Sequence, residues 1–241
     1  MNVRSRLLWD FLAVLSGILL AFTLQAWWEE REEQNDIHRV LQSVLLELED
    51  NIEAVDNGKN HRYAVEQIAL KTMDLCAGRP TDERFENLLG GLSWYSTPPI
   101  SWGALDSLIQ SGQLRLIDDI QLRKRLMEIS RFKTLFDAGF QEDRDNTINS
   151  WNEWRQKGVS QMQVAMEPFA REMPGMGFVI YNYDLPQTTR IDHSFLLKDN
   201  QFCSSLVNKL WLQRDAINRA DGYIKDANAL LEHLRHSLDS A

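Results

Sequence analysis

The segment Leu7–Trp28, LLWDFLAVLSGILLAFTLQAWW, constrains this chain more than any other feature. Its one formal charge is Asp10. About twenty residues at about 1.5 Å rise cover about 30 Å, the hydrocarbon thickness of a bilayer. Trp9 stands at one end, and Trp27 with Trp28 at the other. Indole rings favour the headgroup level, so the three read as membrane-interface anchors. A cleaved signal peptide is the rival reading. It needs small residues at both −3 and −1 of a cleavage site, and Leu24-Gln25-Ala26 supplies one of the two. The expectation is a retained single-pass transmembrane helix over residues 7–28.

The flanks give an orientation. Arg4 and Arg6 precede the span, while Glu29, Glu30, Glu32 and Glu33 follow it with Arg31 the lone base. The positive-inside rule then expects residues 1–6 as a cytoplasmic tail and residues 29–241 as a periplasmic domain on a bacterial inner membrane. Ala13, Gly17 and Ala21 recur at a spacing of four. Small residues so placed let a second helix approach, either from another copy or from a partner subunit. The alternative is that Gly and Ala are simply common in such spans. Ser16, Thr23 and Gln25 are candidates for hydrogen bonds across the seam.

No Pro or Gly intervenes between Gly17 and Gly58. Ile37, Val40, Leu41, Val44, Leu45, Leu48, Ile52 and Val55 follow three-four spacing. The span is therefore expected to continue into a long helix, which either kinks at Gly58 or runs to Cys76, where Gly78 and Pro80 stop it. Thr81 opens a short helix ending at Gly90-Gly91. Ser101 caps another over 102–111, ended by Gly112, and Asp118 or Asp119 caps a further long helix. Ile120, Leu126, Ile129, Leu135, Phe136, Phe140, Ile148, Trp151 and Val159 mark its buried side. Phe178–Tyr183 reads as a short strand or an ordered loop. Leu206, Leu210, Ile217, Ala220, Ile224, Ala227, Leu231, Leu234 and Leu238 form a heptad seam, with Gln213 its polar member. That seam packs either within a bundle or between chains.

With only 12 Gly and 6 Pro and a net charge of −9, composition favours an all-α fold and argues against nucleic acid as a partner. The fold class expected is an N-terminal transmembrane helix continuing into an antiparallel helical bundle. Cys76 and Cys203 leave two readings open, a single bridge or two separate buried thiols.

The stretch Ser101–Phe132, SWGALDSLIQSGQLRLIDDIQLRKRLMEISRF, resembles a motif of an uncharacterised domain-of-unknown-function family of single-pass bacterial membrane proteins. The matching residues are Leu105, Leu108, Ser111, Gly112, Leu114, Leu116, Ile117, Asp118, Leu122, Arg123 and Leu126. The span end, Gln25 to Arg31, is similar too. The resemblance covers about the first 135 residues and implies membrane placement and a helical fold, with no activity. Physically the motif reads as a staple: Gly112 takes a left-handed conformation, the following apolar residues pin the turn, and Asp118 starts the next helix.

Chemistry is sparse. His233 and His236 could share a metal with Glu232, but solvated histidines are the better reading. Glu47, Glu49, Asp50 and Glu53 read as a solvated face rather than an acid–base pair. No phosphate loop, nucleophile elbow or Cys-x-x-Cys pair occurs. No catalytic, cofactor or metal residues are therefore expected, nor an enzyme. Trp94, Tyr95 and Trp102 around Pro98-Pro99, with Arg123 and the later Phe178 and Tyr181, form a candidate partner or ligand surface, unless the aromatics merely plug the bundle ends. The functional expectation is a membrane-anchored accessory or scaffold protein of an inner-membrane assembly, touching lipid and either other subunits or copies of itself. The alternative is a ligand-binding sensor-like domain with a pocket near Trp94, Trp102 and Arg123.

Overall fold

The computed structural model describes residues 3–95, 97–159 and 192–239, with side chains from residue 15 onward. Every regular element among them is helical: α1 (Val3–Cys76), α2 (Phe85–Leu92), α3 (Gly103–Gln110), a 3-10 helix (Gln113–Leu116), α4 (Ile120–Gln156), a second 3-10 helix (Ser194–Lys198) and α5 (Asn200–Asp239). The strand-or-loop segment Phe178–Tyr183 lies outside the described residues, as do Phe178 and Tyr181 themselves. The chain forms two compact units. The first is Met1–Leu48, Trp102–Met127 and Leu230–Ala241, and the second is Glu49–Ser101 and Glu128–Ala229.

α1 runs from Val3 to Cys76 without interruption. Its residues 15–35 are all exposed, and burial begins at Ile37. Among the described residues no helix is long and apolar enough to cross a membrane. The span expected at 7–28 is thus not found as such: the side chains of its first eight residues, 7–14, lie outside the described set.

In the first unit Ile37, Leu41, Val44 and Leu48 of α1 are buried, as are Leu105 and Leu108 of α3, Ile117, Leu122 and Leu126, and Leu230, Leu231 and Leu234 of α5. Ser101 does not cap α3. Trp102 occupies the N-cap and makes no side-chain cap hydrogen bond, since an indole N–H can only donate. The Glu47 carboxylate accepts the orphan N–H groups of Ala104 (2.9 Å) and Leu105 (3.0 Å) instead. Glu47 therefore does not belong to a solvated acidic face. Gly112 has φ +75°, the left-handed residue that the turn requires. Ile117 is buried, whereas Leu114 and Leu116 are only half-buried. Asp119, not Asp118, caps α4, accepting from the N–H groups of Gln121 (2.8 Å) and Leu122 (3.1 Å). His233 bonds the other Asp119 oxygen at 2.6 Å.

In the second unit the ladder of partners sets the helix directions. Arg62 of α1 meets Asp143 of α4, and Ile68 and Ala69 share a core with Trp151 and Trp154, so α1 and α4 run parallel here. α5 runs against both: Phe202 meets Trp154, Lys209 meets Asp143, and Arg219 donates to the Leu135 carbonyl. The bundle is therefore not uniformly antiparallel. A chain that returns through residues 77–119 before starting α4 permits parallel neighbours. Gly58 neither kinks nor ends α1; a Cβ there would sit 2.8 Å from Pro98 Cγ, so the glycine lets the Pro98 ring lie on the helix. Gly90 and Gly91 lie inside α2 and are buried rather than ending it, and Ile68 fills the space over Gly91. α1 ends at Cys76, and Gly78 just beyond it takes φ +75°. Cys76 and Cys203 form a disulfide, Cα–Cα 6.0 Å, closing a sequence separation of 127. Lys157, just past α4, pairs with Asp199, whose carboxylate caps α5.

Candidate functional site

The feature of the second unit that apolar packing does not explain is a buried ionic cluster. α4 presents Asp143 and Thr147 on the line that carries Phe136 and Trp151, and α5 presents Lys209 and Gln213 on the line that carries Leu206 and Ala220. Both pairs are one helical turn apart, so each falls on the buried stripe. α1 adds His61 and Arg62.

Asp143 is the hub. Arg62 donates to its Oδ2, while Lys209 and Gln213 Nε2 each donate to its Oδ1 at 3.0 Å. Arg62 also donates to Gln213 Oε1 at 3.1 Å. Lys209 Nζ spends its other two protons on Thr147 Oγ1 (2.8 Å) and the Trp94 carbonyl (3.1 Å). All three ammonium donors are thus engaged. The Trp94 ring stacks on His61, centroids 5.8 Å apart and planes 22° apart. Trp94 is in this way the link between an aromatic loop and the buried charges.

Burial alone would push the Asp143 carboxyl up, but Lys209 and Arg62 outweigh it and hold the group below the usual carboxylate range. Lys209 is pulled down by burial, against the Asp143 charge and with help from Arg62. His61 is pushed down to about 4, chiefly by burial and further by Arg62 and Lys209. His61 is accordingly neutral at pH 7, and the cluster counts two cations against one carboxylate.

A small cavity borders the cluster, lined by Leu92, Asn146, Thr147, Ser150, Trp154, Ser205, Leu206 and Lys209. Its volume of about 10 Å³ admits roughly one water. Neither Trp102 nor Arg123 lines it. The geometry is that of a polar lock which fixes the register of three helices, and the cavity beside it is too small for a metabolite.

The sequence-predicted residues fall as follows. Gly17 and Ala21 are exposed on α1, and nothing lies within 4 Å of a Cβ built at Gly17. The Ala13 and Trp9 side chains lie outside the described set. Trp27 and Trp28 are exposed, with the Arg31 guanidinium 5.5 Å from the Trp27 ring centroid. Thr23 donates to the Leu20 carbonyl and Gln25 to Glu29, so both are engaged within their own helix. Trp94 (half-buried) and Tyr95 (exposed) belong to the second unit, and Trp102 and Arg123, both half-buried, to the first. Among the described residues, no three His, Cys, Asp or Glu side chains group as a metal site.

The heptad reading missed Lys209 because it took the neighbouring Leu210 for the core position. The recoverable signal was the repetition of polar residues four apart, 143 with 147 and 209 with 213, on otherwise apolar stripes. Comparison with protein-family models, curated proteins and solved structures returns no match.

Proposed function

We propose that this chain is a membrane-tethered helical interaction protein, an accessory or scaffold subunit of a bacterial inner-membrane assembly. In this reading residues 7–28 span the bilayer and residues 29–241 lie in the periplasm. The observation that carries it is the bare stretch of α1. Leu15, Ile18, Leu19, Leu20, Phe22, Leu24, Trp27 and Trp28 are all exposed, at 42–65%. Their positions cover every side of the helix, so among the described residues no packed face accounts for them. A helix apolar all round needs an apolar surrounding, and lipid or a partner's helix supplies one.

Two further points support the reading. The Cys76–Cys203 disulfide suits an oxidising compartment, which the periplasm is. The resemblance of Ser101–Phe132 to a family of single-pass membrane proteins points the same way, and membership of that family is part of the proposal. The lock around Asp143 then serves rigidity: a scaffold needs a fixed helical register more than it needs a cavity.

The test is alkaline carbonate extraction of membranes from cells expressing the full chain, followed by protease treatment of spheroplasts. The chain is expected to stay in the pellet and to be digested from the periplasmic side. Release into the wash would remove the anchor. A pull-down from mild detergent tests the subunit role, and recovery of the chain alone as a monomer would overturn it. Gly17→Ile should weaken association through the Ala13, Gly17, Ala21 face.

A further inference from the structure

We infer that His61 and Trp94 form an acid-released latch in the second unit: when the His61 ring takes up a proton, the Trp94 end of the loop after α2 lifts off α1 and turns its indole to water. The inference stands on the packing around His61, independently of the membrane reading.

The His61 side chain is sealed, 3% exposed, on the buried side of α1. The Trp94 indole lies over it, with centroids 5.8 Å apart and planes 22° apart. Trp94 itself is half-buried, so part of it already meets water. The charged groups that face the ring come from three helices: Arg62 of α1, Lys209 of α5 and Asp143 of α4. Asp143 is already shared, with Arg62 on one carboxylate oxygen and Lys209 on the other. A proton on His61 therefore sets a third cation beside Arg62 and Lys209 in a sealed site. An indole face attracts a cation, so the stack on its own would tolerate the charge. Burial, Arg62 and Lys209 do not, and they push the ring down to about 4. Once the ring meets water it regains its ordinary value of about 6.5, so opening is favoured progressively as pH falls from about 6.5 towards 4.

Trp94 is the cover that can yield. Its carbonyl accepts one proton of Lys209 at 3.1 Å, and Lys209 keeps Asp143 and Thr147 when that bond is lost. Its N–H donates to the Gly91 carbonyl at 3.2 Å, just past the end of α2. The far end of the loop is pinned separately. Asn51 exchanges two hydrogen bonds with the Ser101 backbone, and Pro98 lies against Gly58. Release therefore frees Trp94 while the contacts at Pro98 and Ser101 stay in place. Tyr95 is already exposed. In acid two adjacent aromatic side chains face outward where neutral pH presents one, so the latch sets how much aromatic surface this loop offers.

Hydrogen exchange of the full chain in detergent, read by mass spectrometry as a function of pH, provides the test. One proton taken up on opening, at a ring with a value of about 4 closed and about 6.5 open, raises the open fraction about twentyfold from about pH 7 to about pH 5. Protection in peptides over residues 92–95, corrected for the intrinsic rate at each pH, should fall by that factor. Peptides of α4 around Asp143 should keep theirs. His61→Phe leaves a ring under Trp94 that cannot take the proton, and should make the protection over 92–95 independent of pH. His61→Gln serves the same purpose if the Phe variant does not fold. Constant protection over 92–95 in the wild type, or a fall that persists in the variant, would overturn the latch. So would a parallel fall in the α4 peptides, because the unit would then be opening as a whole.

Discussion

Removing the hub of the polar lock tests whether the second unit depends on it. Asp143→Asn keeps the size of the side chain but leaves Arg62 and Lys209 facing each other in the core with no carboxylate. Formal charge in the cluster rises from +1 to +2, and three donated hydrogen bonds lose their anionic acceptor. Stripping one partner from a buried ion pair costs about 3–5 kcal/mol. For a protein of this size each kcal/mol moves Tm by roughly 2–4 °C, so the expected fall is roughly 6–20 °C. Lys209→Met makes the opposite change. Formal charge falls to zero, the Arg62–Asp143 pair survives, and the losses are the bonds of Lys209 with Asp143, Thr147 and the Trp94 carbonyl. That variant should lose no more than about 1–3 kcal/mol. Combined with Asp143→Asn, it should cost less than the sum of the two singles. Circular dichroism melts and urea titrations of the four proteins supply the cycle. An Asp143→Asn chain within 1 kcal/mol of wild type, or strict additivity with Lys209→Met, would refute the account of the cluster as an interdependent unit.

The remaining expectations follow from single features. His61 has a folded value of about 4 against about 6.5 unfolded, so the unfolded chain binds the extra proton. Stability from its neutral ring is full above pH 6.5 and falls as pH drops towards 4, by up to about 3 kcal/mol; His61→Phe should flatten that acid limb in pH-dependent urea titrations. Reducing the disulfide frees a loop closed over 127 residues, worth about 4–5 kcal/mol by chain entropy, and melts with and without dithiothreitol should differ by roughly 8–20 °C. Gly58→Leu should displace Pro98 and cost about 1–3 kcal/mol, with Trp94 emission reporting the loop shift; an unchanged melt would mean the ring simply slides. Glu47→Ala should cost about 0.5–2 kcal/mol by uncapping α3, seen as faster amide exchange at Ala104 and Leu105.

The helical class and most element positions were legible because period 3.6 and the turn glycines are local signals. Gly112 and Gly78 do what their positions in the sequence suggest. Gly58, Gly90 and Gly91 do not, because their reason is a neighbour remote in sequence, Pro98 for one and Ile68 for another. Capping of α3 was misread for the same reason: Glu47 is 57 residues away from Ala104. The stripe on α4 was blurred because apolarity alone selected Ile120, Leu135 and Ile148, which are exposed, and passed over Asp143 and Thr147, which are buried. A hydrophobicity pattern cannot rank a charged residue as core; only its partners on two other helices do that. Nor does the sequence say which cysteine readings coexist with the helix directions, since that depends on α5 running against α1.

One consequence concerns the unbroken stretch of α1 between Trp28 and the buried Ile37. With no kink or loop there, the exposed apolar stretch and the core stripe of the first unit are locked in phase. Inserting a single alanine at residue 33 turns one against the other by about 100° and shifts it by about 1.5 Å. A seven-residue insertion restores the phase to within about 20°. An insertion series along this segment therefore separates a plain tether, indifferent to rotation, from a shaft whose angular setting a partner reads.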